Sequence, residues 1–257
     1  MGRHRGNRGG APGRSRRGRG RGPGLSLRRY IPLLQGGAAG SLGPADLEAI
    51  GIEMVAVDLL ELAVSPGLEL ILAAGGLAAF TGWTGPILAL TRIDSRRSTV
   101  AEGATGWRAR RGPTLVHEQG DGLTLRSSID GSTHRLTTSG LARAAVDLGA
   151  TPAEDIVARL AWWDSPEETL PSANFVVSAV PAAAARDGRY WTSAGWAEVA
   201  AEADSAAAGS LVPGCRCRTC EIAEVGYIAH LWRQREITAA HLLGWHNQHQ
   251  VRLLLEG

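Results

Sequence analysis

Gly214-Cys215-Arg216-Cys217-Arg218-Thr219-Cys220 is the stretch that decides how the rest of this chain is understood. These three cysteines lie within six residues and are the only ones among 257, so no even-numbered disulfide framework is available. A metal site in a reducing compartment accounts for them better. Cys-x-Cys-x-x-Cys puts soft thiolates on one tight loop, and such a donor set suits a tetrahedral zinc ion, Zn2+. Arg216 and Arg218 lie beside the thiolates and offset their charge. The fourth ligand must come from the helically patterned stretch that follows, where His230, His241, His246 and His249 are all available. A site closed by four protein ligands is structural, because no position stays open for a substrate.

Upstream of this loop, strand and helix signals alternate. Tyr30–Leu34 is a short apolar run, and Pro44 opens a helix carrying Leu47 and Ile50 at helical spacing. Residues 52–57 form a buried strand. Ser65-Pro66 is the N-cap and first position of a helix to about Phe80, and residues 86–91 form another short buried run. Residues 97–122 have no period and are expected as a long loop. Residues 123–129 alternate as a half-exposed strand ending in a turn at Asp130-Gly131. Thr151-Pro152-Ala153-Glu154 is a capping box leading a helix to about Trp163. Residues 175–180 form a continuous apolar strand stopped by Pro181, and one or two helices follow Cys220. Repeated strand–helix units argue for a parallel α/β architecture.

Charge is unevenly placed. The chain has no lysine, ten of its 27 arginines fall in residues 1–29, and no acid precedes Asp46. The remaining 17 arginines face 25 acids, so a body of charge −8 lies behind a net +2. Residues 1–27, rich in Gly, Arg, Pro and Ser, are expected to be a disordered basic tail, either a solvated segment or an arm for nucleic-acid phosphates. The Gly-x-Gly-x-x-Gly look-alikes in this tail follow no strand and carry no nucleotide-binding signal. The apolar run after Arg28-Arg29 is too short for an export signal, and no stretch reaches membrane-spanning length without a charge. A cytoplasmic protein with no membrane partner is expected.

The cysteine loop, followed by Tyr227, His230-Leu231, Glu236 and His246-Asn247, resembles the C-terminal region of the tRNA-guanine transglycosylases, also called queuine or archaeosine tRNA-ribosyltransferases. Further matches fall in the same order. They are Tyr30-Ile31-Pro32, Leu47–Gly51, Pro66-Gly67-Leu68-Glu69, Gly75-Gly76-Leu77, Gly82-Trp83-x-Gly85-Pro86-Ile87-Leu88 and Arg126-Ser127-x-Ile129-Asp130-Gly131-Ser132. The resemblance implies a zinc ion held by Cys215, Cys217, Cys220 and His246, and so selects one of the four histidines. It also implies a TIM-type (β/α) barrel over residues 28–208, with a zinc-binding helical subdomain over 209–257.

Where the family does its chemistry, this chain departs from it. Family members exchange a guanine in tRNA for a 7-deazaguanine base, using one aspartate as nucleophile and a second to handle protons. The Thr-Asp-Ser-Gly-Gly-Phe-Gln that should follow Pro86-Ile87-Leu88 is missing, and Leu90 stands in the aspartate's place. Anchoring the nucleophile motif on Pro181, Arg186 and Gly188 puts Val177 at the attacking position and Ala182–Ala185 where basic and amide residues belong. The family's Asn-Thr-Tyr-His is replaced by Asp58-Leu59-Leu60-Glu61, and the Gly-Gly substrate loop has no counterpart. For the middle of the barrel two registers are open. Thr151-Pro152-x-Glu154-Asp155-Ile156 resembles a late helix start, and Trp163-Asp164-Ser165-Pro166 resembles an earlier base-recognising stretch.

Too few strands remain for an obviously closed barrel, so an incomplete or rearranged one with exposed edges is expected. Retained zinc and turn residues beside lost carboxylates imply a non-catalytic subunit, a pseudoenzyme, working with a catalytic transglycosylase subunit or with a second copy of itself. An active enzyme would need relocated acids, for which Asp58, Asp94 and Asp164 are the candidates. A third possibility is a module that binds tRNA or DNA through its arginine tail.

Overall fold

The computed structural model describes residues 28–90, 113–153, 160–163, 166, 168–202 and 208–257. The basic segment 1–27, most of the expected 97–122 loop, Asp94 and Asp164 lie outside these residues.

Six short strands build an all-parallel sheet: β1 (Arg29–Leu34), β2 (Val55–Asp58), β3 (Ile87–Leu90), β7 (Thr151–Pro152), β8 (Leu160–Trp162) and β9 (Phe175–Ser178). Their order is β7-β3-β2-β1-β9-β8. The chain steps outward from β1 to β7 and then resumes on the other side, so the first and last strands of the set are neighbours. Ile31 pairs with Val177 there, and Val57 pairs with Ala89 between β2 and β3. Adjacency of first and last parallel strands is the seam of a (β/α) barrel, and the curled sheet fits that architecture.

Alternation along the strands separates two faces. Ile31, Leu33, Ala56, Leu88, Leu90 and Val177 cluster on one face, with Trp162 and Phe175 packed against them. Tyr30, Leu34, Val55, Val57, Ile87, Ala89 and Val176 join the larger core on the other. Both faces are apolar, which is why these strands look like continuous hydrophobic runs in the sequence.

Between β2 and β3 the chain forms short helices. Asp58 ends β2 and caps α2 (Leu59–Val64). The single helix expected from Ser65 to Phe80 is instead α3 (Leu68–Ala73) and α4 (Leu77–Thr81). Ser65 closes α2 in an extended conformation, as a residue before proline prefers, and the Ser65-Pro66 bond is cis. Gly76, at φ +93°, interrupts the run; a Cβ there would lie 2.9 Å from the Leu148 carbonyl oxygen. α1 (Pro44–Ile50) begins on its proline as expected.

After β3 comes a three-stranded antiparallel sheet, β4 (Thr114–Gln119), β5 (Gly122–Arg126) and β6 (Thr133–Thr137). Part of the expected loop is therefore strand β4, whose largely exposed residues leave no buried period to detect. The Asp130-Gly131 turn is present between β5 and β6. α5 (Thr138–Asp147) returns the chain to β7. Thr151 and Pro152 pair with Leu88 and Ala89, Glu154 and the rest of residues 154–159 lie outside the described residues, and Leu160–Trp162 is strand where the helix was expected to run to Trp163. The apolar run 175–180 also divides, because Val180 and Pro181 already belong to α6 (Val180–Arg186). Pro tolerates a first helical turn, where no N–H is required of it.

A two-stranded hairpin follows, β10 (Arg189–Thr192) and β11 (Gly195–Glu198). Three helices complete the chain: α7 (Arg218–Ile222), α8 (Val225–Arg233) and the 20-residue α9 (Ile237–Glu256). α9 buries Ala239, Leu242, Leu243, His246, Asn247, Val251 and Leu255 at helical spacing, and so carries polar side chains into the interior.

Candidate metal centre

The cysteine loop is pinned where α7 meets α9. Cys217 is the N-cap of α7, and the buried Thr219 hydroxyl donates to the Leu242 carbonyl oxygen at 2.7 Å. Leu242 lies one helical turn before His246, so this bond sets the loop against the histidine.

His246 Nδ1 lies 3.4 Å from the Sγ atoms of Cys217 and Cys220 and 3.8 Å from that of Cys215. The four donor atoms all fall within 4.8 Å of one another, a group able to hold a metal ion. Zinc–sulfur and zinc–nitrogen bonds of about 2.3 and 2.0–2.1 Å set tetrahedral donors about 3.5–3.8 Å apart, and the three nitrogen–sulfur distances of 3.4, 3.4 and 3.8 Å lie close to that range. The other imidazole nitrogen, Nε2, is 2.9 Å from the Trp191 carbonyl oxygen. A carbonyl only accepts, so it holds one proton on Nε2, and Nδ1 is the nitrogen whose lone pair would serve a metal among the sulfurs.

Further donors surround the sulfurs. The backbone N–H of Cys217 points to Cys215 Sγ and that of Cys220 to Cys217 Sγ, each at 3.4 Å. Gln250 Nε2 donates to Cys215 Sγ at 2.8 Å. In the metal-free cluster the Cys215 thiol is held well below its usual range, chiefly by hydrogen bonds from Cys217 and Cys220. Cys217 is pushed upward, because its bonds with Cys215 and Cys220 favour its protonated form and burial adds to them. For His246, burial pulls the imidazolium down, but contacts with Cys215, Cys220 and the Trp191 carbonyl outweigh it and push the value up to about 9.

The remaining histidines lie apart from the group. His230 is exposed, His241 faces the Ser41 carbonyl and Asp46, and His249 stacks on Trp245. Arg216 and Arg218 flank the loop with exposed side chains.

The positions read as catalytic by resemblance belong to a different apolar cluster from the one that holds Cys217. Leu90, 1% exposed, ends β3 opposite Asp58, and the fully buried Val177 sits between Ile31 and Trp162. Asp58 lies at the carboxyl end of β2, where barrel enzymes place their chemistry, but its Oδ1 accepts from the N–H groups of Leu60 and Glu61 at 2.9 and 3.4 Å.

The sequence model of the family described as queuine tRNA-ribosyltransferase matches residues 15–169 and 173–257. The chain belongs to this family. A stretch of 143 residues is 31% identical to the queuine tRNA-ribosyltransferase of Marinobacter nauticus, covering 55% of this chain and 35% of that protein. For the enzyme of that name from Lawsonia intracellularis the figures are 34% over 108 residues, 42% of this chain and 26% of the relative. For Nitrosospira multiformis they are 42% over 59 residues, 23% and 16%. The chain therefore spans about a third or less of these curated relatives.

Sequence reasoning did not single out Asn247 as a clamp, Gln250, or the hairpin that supplies the Trp191 carbonyl. The hairpin's two-residue loop, Ser193-Ala194, lacks the Asn-Gly or Asp-Gly signature that marks tight turns. The alternating Tyr190-Trp191-Thr192 was the available signal. Among the described residues, no helix is long and apolar enough to cross a membrane.

Proposed function

We propose that this chain is a non-catalytic, zinc-holding member of the queuine tRNA-ribosyltransferase family, a scaffold subunit supporting 7-deazaguanine modification of tRNA or DNA. The observation that carries it is the pair Leu90 and Val177, apolar and buried where the family resemblance puts the two aspartates. A valine has no lone pair to attack a sugar carbon, and a leucine cannot exchange a proton. The helix after β9 presents Ala182–Ala185, which offer no donor to a phosphate.

Zinc fits the Cys3His donor set best, and Cys215, Cys217, Cys220 and His246 would hold it. Four protein ligands close the coordination sphere, so the ion supplies architecture without an activated water. The barrel is taken as incomplete, with β7 and β8 as its open edges among the described residues. Each edge strand is only two or three residues long. A catalytic transglycosylase subunit, or a second copy of this chain, would cover them. With a body charge of −8 outside residues 1–29, phosphate affinity must come from that segment or from the partner.

Affinity purification of the full chain from its native host tests the partnership. The expected co-purifying protein is a family member carrying the aspartates that this chain lacks. Recovery of the chain alone, with base-exchange activity of its own, would refute the proposal.

A further inference from the structure

We infer that the Cys3His centre and the 189–198 hairpin form one coupled unit, in which metal binding locks the hairpin and the hairpin's tryptophans order the carboxyl ends of β8 and β9. This rests on the metal-holding role proposed above and extends it to residues outside the ligand set.

The coupling begins with two neighbours on α9. His246 bonds the Trp191 carbonyl through Nε2, and Asn247 takes the amide side of the same residue: Trp191 N donates to Asn247 Oδ1 at 3.0 Å. Asn247 Nδ2 donates to the Arg189 carbonyl at 3.0 Å and to the Pro181 carbonyl at 3.1 Å. This amide is fully buried, and both its donors and its oxygen are used. It joins α9, β10 and the start of α6 at one point. A metal on Nδ1 fixes the imidazole plane, and the opposite nitrogen passes that orientation to β10.

From β10 the path is aromatic. Trp191 packs edge-on against its cross-strand partner Trp196 at 4.9 Å between ring centroids. Both reach Trp163, which Trp196 stacks at 6.0 Å and Trp191 meets edge-on at 5.9 Å. Trp163 is fully buried directly after β8. Its N–H donates to the Val177 carbonyl at 3.1 Å, and its own carbonyl accepts from the Ser178 hydroxyl at 2.6 Å. Ser178 also accepts from Val180 N at 2.9 Å, tying the end of β9 to α6. The centre is thus connected to the strand ends through contacts in a densely packed core, where a displacement is not absorbed locally. Asn247 is a positioning residue in this arrangement, since it touches no ligand sulfur.

Amide hydrogen exchange on the full-length chain, zinc-loaded and then stripped with a chelator, tests the coupling, with bound zinc measured by elemental analysis. Exchange in residues 189–198 is expected to quicken at least tenfold on stripping, while residues 114–137 of the separate antiparallel sheet keep their rates. Asn247→Ala is expected to bind one zinc per chain at saturation but lose it to a competing chelator about tenfold more readily, the scale of an outer-shell loss. Zinc that binds and leaves with no change at 189–198 would overturn the inference, as would equal quickening at 114–137, which reports general unfolding. A chain that takes up no zinc defeats the metal assignment itself, a separate result. The wild-type comparison carries the test if the variant does not fold.

Discussion

On the proposed reading Leu90 and Val177 stand where the family resemblance puts two aspartates, and their surroundings are hydrocarbon. Ile31, Leu33, Ala56 and Leu88 belong to the same apolar cluster. A carboxylate restored at either place would be buried without a partner in this cluster, at a cost of several kcal/mol or a neutralising pKa shift. Asp58 has a different task. Replacing it by alanine should remove the cap of α2 and cost about 1 kcal/mol in chemical denaturation. Activity that fell with Asp58→Asn while stability held would point to a relocated acid. At the metal, Cys217→Ser should leave the chain without stoichiometric zinc, weakening competition against a chelator by more than the ~10–100-fold of an outer-shell loss. Binding should also weaken with acid. With its imidazolium pushed up to about 9, metal-free His246 carries a proton throughout pH 6–8, and that proton must leave before Nδ1 can bind metal. Each displaced proton costs about tenfold in affinity per pH unit. Affinity measured by chelator competition should therefore fall at least tenfold for each unit below about pH 8; a flat profile would show that binding displaces no proton from His246.

The hairpin depends on one glycine at its entrance. Gly188 has φ +75°, and a Cβ there would lie 2.5 Å from the Trp232 ring. Gly188→Ala should cost about 2–4 kcal/mol from overpacking and left-handed strain, against about 1 kcal/mol for Gly195→Ala, which also has positive φ but open space. Equilibrium denaturation of the pair separates the two terms. Elements buried on both faces, such as β1, β2 and β3, were legible in the sequence because unbroken apolar runs admit few alternatives. The Cys3His group was legible because three clustered thiols have little other use and the family resemblance selects His246. β4, β7 and β8 were not, since their residues are exposed or few and their pairing is decided by distant neighbours. The 189–198 hairpin, and with it the Trp191 carbonyl behind His246, escaped for want of a turn signature.

At the scale of the molecule, the retained features share one property: each builds structure. The parallel strands, the first-to-last strand seam and the Cys3His group are present, while Leu90 and Val177 are apolar and Ala182–Ala185 follow β9. The central claim is that architecture has been kept without base-exchange chemistry. It is tested most directly by incubating the zinc-loaded full-length chain with tRNA and labelled guanine and counting label in the tRNA. The account predicts incorporation no higher than in a protein-free control. Label that accumulates with time and protein concentration would contradict it.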